Sequence, residues 1–152
     1  MTDPPEAIAQ ECVEGYLFRR APLELLVLRR PPSRGSIWVP VSGKVDPGDR
    51  DLPSALLREL AEETGLADPR SVVDLDWHVT FPGPDGRPWR LHGYAVEVPA
   101  DFSPRLSPEH EAFAWVTEAE ALRRLHYDDN RDAVRRLVAL LGPDDRSGRR
   151  NA

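Results

Sequence analysis

Four charged residues lie within six consecutive positions of this chain, in the stretch Arg58-Glu59-Leu60-Ala61-Glu62-Glu63. An α-helix turns about 100° per residue, so glutamates at positions i, i+3 and i+4 share one face. Carboxylates at this spacing repel each other by roughly 0.2–0.5 kcal/mol per pair, a cost that a divalent cation would offset. Mg²⁺ and Mn²⁺ prefer such oxygen ligands. The spacing therefore predicts a metal site on a helix, formed by Glu59, Glu62 and Glu63.

A divalent cation at these carboxylates suits hydrolysis of a pyrophosphate group. It neutralises charge that would repel a nucleophile, and it lowers the pKa of an attacking water molecule. A spare carboxylate can then serve as general base. Helix geometry predicts that Arg58 points away from Glu62 and Glu63. Arg58 is then placed to orient a carboxylate, either Glu59 or Asp49, through a bidentate pair.

The same six residues have a second interpretation. Runs of this composition often form a solvated, charged helix face that binds no ligand, and for the six residues alone this is the commoner outcome. The choice between the two interpretations depends on the surrounding sequence.

The flanking residues mark both ends of the predicted helix. Pro53 suits the first helical turn, where its missing N–H is not needed. Gly65 stands where a left-handed C-terminal cap is expected, and Asp68-Pro69 prevents continuation of the helix. The residues predicted to pack on the side away from the acids are Leu57, Leu60, Ala61 and Thr64.

The rest of the chain alternates strand and helix patterns. Apolar and β-favouring residues predict strands at 8–18, 23–28, 37–40, 72–81, 89–98 and 112–116. Two further helices are predicted at 117–125, from a capping-box pattern, and at 129–141, from an apolar stripe. This order indicates an α/β or α+β sandwich, with a mixed sheet between helices. We expect one domain across residues 1–152, with disordered ends at 1–6 and 144–152.

Composition narrows the class of protein. The chain has 152 residues, 40% of them hydrophobic, which is enough for one packed core. A formal charge of −6 argues against a nucleic-acid polymer as partner, because such binding needs clustered positive charge. No stretch approaches the roughly 18 apolar residues of a membrane span, and Cys12 is the single cysteine. We expect a cytoplasmic monomer or homodimer that acts on a small molecule and binds no membrane.

A longer pattern contains the charged cluster. Its residues are Gly43, Asp49, Arg58, Glu59, Leu60, Glu62, Glu63, Gly65 and Leu66. Together they resemble the Nudix box, G-x5-E-x7-R-E-U-x-E-E-x-G-U, in which U is aliphatic. The sequence departs from the box in two places: Asp49 stands where the family has glutamate, and eight residues rather than seven separate Asp49 from Arg58. The extra residue falls before the helix, where a loop can absorb it.

The resemblance to the Nudix family implies a fold and an activity. The fold is the Nudix-type α/β/α sandwich, and the activity is metal-dependent hydrolysis of a nucleoside diphosphate linked to another group. The residues implied to hold Mg²⁺, or alternatively Mn²⁺, are Glu59, Glu62, Glu63 and the carbonyl of Gly43. Arg58, Glu59 and Glu62 are the box residues implied to take part in catalysis.

Residues 108–116 resemble the C-terminal half of two Nudix subgroups. One contains pyrophosphohydrolases of dATP and dihydroneopterin triphosphate, and the other contains asymmetric diadenosine tetraphosphate hydrolases. In such enzymes a carboxylate outside the box often acts as a further ligand or base. The resemblance assigns this role to Glu109, with Glu111 as the second choice.

Five residues are predicted to bind substrate: Trp38, Lys44, Arg90, His110 and Tyr127. Trp38 is a candidate for stacking on a base, and Arg90 flanks a hairpin that can reach phosphates. His110 stands beside Glu109, and Tyr127 lies in the segment shared with the two subgroups. Each residue also fits a purely structural role, in packing, on an exposed hairpin or near a helix end.

The sequence favours a pyrophosphohydrolase of a (deoxy)nucleoside triphosphate or nucleotide-like triphosphate, which releases a monophosphate and pyrophosphate. One alternative is a dinucleoside polyphosphate hydrolase of the diadenosine tetraphosphate type. Another is a noncatalytic Nudix module that binds a nucleotide. The first two hypotheses differ in their products, and the third predicts no turnover.

Overall fold

Seven β-strands form one sheet between three α-helices in the computed structural model of the protein, which describes residues 7–142. The strands are β1 (Gln10–Arg19), β2 (Glu24–Arg29), β3 (Trp38–Val39), β4 (Val41–Lys44), β5 (Ser71–Pro82), β6 (Pro88–Glu97) and β7 (Ala112–Val116). The helices are α1 (Leu52–Thr64), α2 (Glu118–Arg124) and α3 (Asp128–Leu141), and a 3₁₀ turn at Pro32–Arg34 lies between β2 and β3.

The sheet combines parallel and antiparallel pairs. Its order is β3-β2-β1-β6-β5, with β4 also paired to β1 and β7 also paired to β2. β1 and β6 run parallel, from Gln10 opposite Trp89 to Phe18 opposite Glu97. The remaining pairs are antiparallel. The mixed sheet predicted from the sequence is confirmed.

Both faces of the sheet are covered by helices. On one face, α1 buries Leu56 and Leu60 against Val13 of β1. On the other face, α3 buries Leu137 in a cluster that contains Tyr16 of β1. Successive strand residues point to opposite faces, so β1 contributes to both cores. This arrangement is the predicted α/β/α sandwich.

The buried face of α1 differs from the prediction. Leu60 and Thr64 are buried as expected, but Leu57 is 44% exposed and Ala61 is also exposed. Glu63 is buried instead, at 3% exposure. The i, i+3, i+4 stripe that begins at Leu60 contains both Glu63 and Thr64, so packing Leu60 against the sheet carries Glu63 inward.

The other predicted elements are present with small shifts at their ends. β5 and β6 remain paired as far as Pro82 and Pro88, so their connection at residues 83–87 is shorter than predicted. Thr117 caps α2 as predicted, because its Oγ1 accepts a hydrogen bond of 3.2 Å from the backbone N–H of Glu120. Among residues 7–142, every helix is too short or too polar to cross a bilayer. The predicted disorder at 1–6 and 144–152 falls outside the described residues.

Candidate active site

Two caps determine where α1 begins and ends. Asp51 is the N-cap, and its carboxylate accepts a hydrogen bond of 2.8 Å from the backbone N–H of Ser54. Gly65 is the C-cap, in the left-handed conformation with φ +76°, and its N–H donates to the Ala61 carbonyl at 3.0 Å. The caps therefore fix the register in which the glutamates of α1 are presented.

A pocket of about 740 Å³ lies beside the glutamates of α1. The predicted site residues that line it are Gly43, Lys44, Glu59, Glu63, Glu109, His110 and Tyr127. The predicted site residues outside the lining are Trp38, Arg58, Glu62 and Arg90. The helix, the strand that precedes it and the loop before β7 thus converge on one cavity.

Glu63 is the most deeply buried carboxylate of α1. Burial and, after it, the neighbouring carboxylates of Glu59 and Glu109 together raise its pKa to about 9. One oxygen, Oε2, is buried without a hydrogen-bond partner. The other oxygen lies 3.7 Å from Nδ1 of His110. A cation bound here would supply the missing counter-charge and lower this pKa again.

Glu59 lies directly against Gly43 of β4. A Cβ atom built on Gly43 would stand 2.1 Å from Cδ of Glu59, so any larger residue would displace this carboxylate. Burial raises the pKa of Glu59, while its hydrogen bond with Arg58 acts in the opposite direction. The absence of a side chain at Gly43 thus makes room for the carboxylate that lines the pocket.

Arg58 joins α1 to the loop before it. Its Nε donates to Oδ1 of Asp49 at 3.0 Å, and its Nη2 donates to Oδ2 at 2.8 Å. Further bonds of 3.0 Å reach the Lys44 carbonyl and Glu59. These hydrogen bonds lower the pKa of the Asp49 carboxyl. Asp49 therefore reaches Arg58 with both oxygens despite its shorter side chain and the additional loop residue.

The predicted direction of Arg58 is wrong for one glutamate. Its Nη1 lies 3.3 Å from Oε2 of Glu62, because residues at i and i+4 share a helix face. The Glu62 side chain is 57% exposed and does not line the pocket. Its role as a metal ligand and catalytic residue stays a prediction.

Glu109 and Glu111 face different surroundings. Glu109 lines the pocket, whereas Glu111 is ion-paired with Arg29 at 3.5 Å and lies outside the lining. His110, between them, is 8% exposed, and its Nδ1 is buried without a hydrogen-bond partner. Burial lowers the pKa of His110, so its neutral form is favoured. The geometry favours Glu109 as the carboxylate that joins the α1 cluster.

These side chains fit a divalent cation. One oxygen from each of Glu63 and Glu109 and one ring nitrogen of His110 lie within 4.8 Å of one another. Glu59 adds a carboxylate in contact with Glu63. A buried polar atom without a partner is costly, and a cation bound to these oxygens would satisfy Glu63 Oε2. By its donor chemistry, the acidic cluster therefore fits a hard metal ion.

The predicted substrate-binding residues divide into two groups. Lys44 and Tyr127 line the pocket together with His110, and Nζ of Lys44 lies 5.3 Å from the ring centre of Trp89. Trp38 packs against the core beneath α2 and α3, with the Arg124 guanidinium 5.2 Å from its ring. Arg90 pairs with Glu11 at 2.9 Å, away from the pocket.

Sequence reasoning assigned no role to several other pocket residues: Glu14, Arg30, Arg34, Phe81 and Asp129. Most reach the pocket through strand pairing or loop placement, which local sequence patterns do not report. One signal in the sequence indicates that Glu14 is unusual: it is a carboxylate between apolar residues of β1. Glutamate is seldom buried unless it is paired, so its burial at such a position indicates a polar or charged partner.

A helix-borne carboxylate cluster, packed on a mixed sheet beside a nucleotide-sized pocket, defines a hydrolase site of the Nudix class. The family model described as NUDIX domain matches residues 13–137 of this chain. The chain belongs to the Nudix family.

Three relatives have names that refer to different activities. A Myxococcus xanthus protein named octanoyltransferase is 41% identical over 118 residues, which is 76% of this chain and 32% of that protein. A Mycolicibacterium smegmatis 8-oxo-(d)GTP phosphatase is 34% identical over 119 residues, which is 78% of this chain and 34% of that protein. A Caenorhabditis elegans asymmetrical bis(5'-nucleosyl)-tetraphosphatase is 27% identical over 122 residues, 78% of this chain and 86% of that protein. This chain thus spans about a third of the length of the first two.

Solved structures share the fold. A C. elegans Ap4A hydrolase complex superposes with a TM-score of 0.72 at 24% identity, over 88% of this chain and 98% of that one. The E. coli dihydroneopterin triphosphate pyrophosphohydrolase gives a TM-score of 0.75 at 19% identity, over 88% and 99%. At these identities the likeness shows the Nudix fold and leaves the substrate open.

Proposed function

We propose that the protein hydrolyses a phosphoanhydride bond of a (deoxy)nucleoside triphosphate or nucleotide-like triphosphate, with Mg²⁺ as cofactor, and releases a monophosphate and pyrophosphate. Mn²⁺ is the alternative ion. The observation that carries the proposal is the convergence of Glu59, Glu63 and Glu109 on a pocket of about 740 Å³. The proposal places the protein in the cytoplasm, as a monomer or homodimer, with no nucleic-acid or membrane partner.

The chain's own residues supply three parts of this reaction. Glu59, Glu63 and the Gly43 carbonyl are the proposed metal ligands, and Arg58 holds Glu59 in place at 3.0 Å. The bound ion would neutralise phosphate charge and lower the pKa of the attacking water. Glu109 is proposed as a further ligand or as the base that accepts the proton of that water. Glu62 remains a candidate for either role.

Cationic residues line the same pocket as the acidic cluster. Arg30, Arg34 and Lys44 line it, and within residues 7–142 none of these three makes an ion pair. They are therefore available to the phosphate oxygens of a bound substrate. We assign the triphosphate to the region between these cations and the carboxylates of α1.

Dinucleoside tetraphosphate hydrolysis is the second candidate. It is supported by the C. elegans relative, of which this chain covers 86%, and by a rat asymmetrical tetraphosphatase that is 32% identical over 100 residues. The 8-oxo-(d)GTP phosphatase relative supports a nucleoside triphosphate instead. The two candidates share the metal site and differ in the group that leaves.

Octanoyl transfer is not proposed for this chain. The similarity accounts for 32% of the relative with that name. An acyl transferase that uses a thiolate would also need a reactive cysteine, whereas burial raises the pKa of Cys12 to about 11. The site described above offers carboxylates and cations, which suit phosphate chemistry.

The test is a substrate screen with purified protein and Mg²⁺. The panel contains (d)NTPs, 8-oxo-dGTP, dinucleoside polyphosphates, nucleotide sugars and dihydroneopterin triphosphate, and chromatography resolves the products. A triphosphatase of the proposed kind converts dATP to dAMP and pyrophosphate, whereas a tetraphosphatase converts diadenosine tetraphosphate to ATP and AMP. Binding without turnover of any member would identify the noncatalytic module.

Two variants test the residue assignments. Glu63→Gln and Glu62→Gln are each expected to abolish Mg²⁺-dependent turnover while the circular dichroism spectrum stays unchanged. Wild-type turnover in Glu63→Gln would refute the proposed metal site. Wild-type turnover in Glu62→Gln alone would restrict the site to the carboxylates that line the pocket.

A further inference from the structure

A second carboxylate, unrelated to the α1 cluster, is buried in the wall of the same pocket. Glu14 lies in the middle of β1, is 5% exposed and lines the cavity. Its Oε1 accepts hydrogen bonds from the Tyr16 hydroxyl and from Nδ2 of Asn130, the latter at 3.4 Å. Burial raises the pKa of Glu14 to about 7, ahead of the opposing effect of these hydrogen bonds. Glu14 has no role in the proposed metal site.

The partners of Glu14, Tyr16 and Asn130, use their hydrogen-bond donors on Glu14 and on each other. Asn130 Nδ2 also donates to the Tyr16 hydroxyl at 3.2 Å, and its Oδ1 accepts from the backbone N–H of Tyr127 at 3.3 Å. Burial raises the pKa of Tyr16 well above its ordinary value, so its hydroxyl stays a donor. Neither side chain has a donor left for a pocket ligand.

Two acceptors remain on this side of the pocket. Oε2 of Glu14 has no hydrogen-bond partner within residues 7–142, and it belongs to a side chain that lines the cavity. Asp129, at the start of α3, also lines the cavity and makes no hydrogen bond or ion pair within the same residues. Asp129 raises the pKa of Glu14 and Arg30 lowers it, so both charges face this carboxyl.

The neighbouring pocket surface is apolar. On the sheet, Cys12 of β1 is paired with Leu91 of β6, and Phe81 of β5 is paired with Trp89 of β6. All four line the cavity. An apolar surface edged by two acceptors is complementary to a flat ring whose edge carries N–H groups.

We infer that Glu14 selects the ring of the substrate by accepting a hydrogen bond from an amino group on the ring edge, with Asp129 as a second acceptor. The class of ligand is an amino-bearing nitrogen heterocycle, such as adenine, cytosine or an amino-substituted pterin, in preference to its oxo counterpart. The inference rests on the proposed function, because it assigns the ring of a nucleotide-like substrate to this pocket.

The variant Glu14→Gln converts the acceptor to a donor. Tyr16 and Asn130 both donate to Oε1, so the amide oxygen of the new glutamine would take that position. Its NH₂ group would then face the pocket where Oε2 lies in the native protein. The variant keeps the volume and the internal hydrogen bonds, and it reverses only the polarity offered to the ligand.

The experiment uses ring pairs that differ in one substituent, ATP with ITP and CTP with UTP, at pH 8 and saturating Mg²⁺. The wild-type protein is expected to favour the amino member of each pair in kcat/KM. Glu14→Gln is expected to lower kcat/KM for ATP and CTP by about 10- to 100-fold and to leave ITP and UTP unchanged or improved. Glu24→Gln, on the surface of β2, is the matched control and keeps the wild-type ratios.

Binding is measured in parallel, so that the inference does not depend on turnover. The probes are the α,β-methylene triphosphates of adenosine and inosine, titrated by calorimetry. If neither ring is hydrolysed but the adenosine probe binds more tightly and loses this preference in Glu14→Gln, the proposed function fails and the inference stands. If hydrolysis occurs and the ratios are unaffected by Glu14→Gln, the inference fails and the proposed function stands.

Two further outcomes are decisive. An equal loss for amino and oxo substrates in Glu14→Gln would show that Glu14 supports the site without reading the ring, which overturns the inference. If thermal unfolding shows that Glu14→Gln does not fold, Asp129→Asn provides the same comparison on a half-exposed residue. It is expected to reduce the amino preference by about 3- to 10-fold, and an unchanged preference there would also overturn the inference.

Discussion

Individual positions in this protein are constrained by the space that a carboxylate needs. Gly43 shows this most clearly, because the Glu59 carboxylate occupies the volume that a Cβ would fill. Glu63 shows the related electrostatic constraint, since its burial leaves one oxygen without a partner. At the scale of the residue, the site therefore depends on the missing side chain of Gly43 and on the unpaired oxygen of Glu63 as well as on the contacts that are made.

Gly43→Ala should therefore disable the site without unfolding the protein. The new methyl group would displace Glu59, and we expect kcat to fall by at least about 100-fold and the Mg²⁺ concentration for half-maximal activity to rise. Gly48→Ala, in the loop that follows β4, is the matched control, because a Cβ at Gly48 meets no atom within 4 Å. Equal activity in the two variants would contradict the proposed position of Glu59.

Glu109 and Glu111 provide a second comparison within three residues of chain. Glu109→Gln is expected to lower kcat by about 100-fold or more, because a pocket carboxylate would be lost. Glu111→Gln should change kcat by less than about twofold, since its carboxylate pairs with Arg29 outside the pocket. Steady-state kinetics with the best substrate of the screen measures both, and the reverse ranking would transfer the role to Glu111.

Glu14 should give a distinct dependence of stability on pH. Its pKa is about 7 in the folded protein and 4.5 as the ordinary value, so between these values the folded state holds more protons than the unfolded state. The free energy of unfolding therefore falls as pH rises from about 5 to 7, by at most about 3 kcal/mol from this group. Urea unfolding at pH 5 and pH 8 measures the effect. The difference between the wild-type protein and Glu14→Gln should be smaller at pH 8, and an equal difference at both pH values would contradict this.

At the scale of the element, α1 and its preceding loop act as a unit held by Arg58. This side chain bonds Asp49 at both oxygens, the Lys44 carbonyl and Glu59. Asp49 keeps both bonds to Arg58 although one residue more than in the Nudix box separates the two. The loop before α1 therefore accommodates the additional residue. The length of the loop is thus less constrained than the position of the Asp49 carboxylate.

Arg58→Lys should loosen this unit, because an ammonium group cannot reproduce the planar fork. We expect a loss of about 1–3 kcal/mol in the attachment of the loop. The amides of residues 45–51 should exchange faster with deuterium, and kcat/KM should fall by about 10-fold. Arg50→Lys is the control, since the Arg50 side chain is 86% exposed. Unchanged exchange in Arg58→Lys would mean that the loop is held by other contacts.

The element bounds were predictable because their signals are local. Pro53 and Gly65 delimit α1, and Thr117 caps α2, as their types indicated. The inward position of Glu63 was not predicted, because the sequence stripe of α1 was assigned without knowledge of which leucine faces the sheet. The reach of Arg58 to Glu62 follows from helix spacing and was available from the sequence, so that error was one of interpretation.

The pocket residues beyond the motif depend on the whole molecule. Glu14 and Asn130 meet although they are 116 positions apart, and no local pattern reports such a contact. The two acidic groups of the pocket lie on the helix α1 and on β1, the central strand of the sheet. Only the completed sheet brings the carboxylates of α1, the proposed metal site, and Glu14, the proposed ring site, into one cavity.

At the whole-molecule scale, Mg²⁺ should stabilise the folded protein. A ligand that binds only the folded state at 100 times its Kd contributes about 2.7 kcal/mol. For a domain of this size we expect Tm to rise by about 5–10 °C. Differential scanning fluorimetry with Mg²⁺ and with EDTA measures the shift. Glu63→Gln should lose most of it, whereas an equal shift in this variant would place the bound ion elsewhere.

The parallel pairing of β1 with β6 has a consequence for the order of folding. Cys12 pairs with Leu91 and Glu14 pairs with Gly93, so the floor of the pocket joins segments that are 79 positions apart in the chain. Such long-range closures are late and slow steps, whereas a capped helix such as α1 forms from neighbouring residues. During synthesis, the residues of α1 emerge before Trp89 and Leu91 of β6, which line the pocket, and we expect the pairing of β1 with β6 to follow the formation of α1. In a folding intermediate that has α1 but lacks the β1–β6 pair, the glutamates of α1 would be present, while the ring selectivity that we infer for Glu14 would be absent.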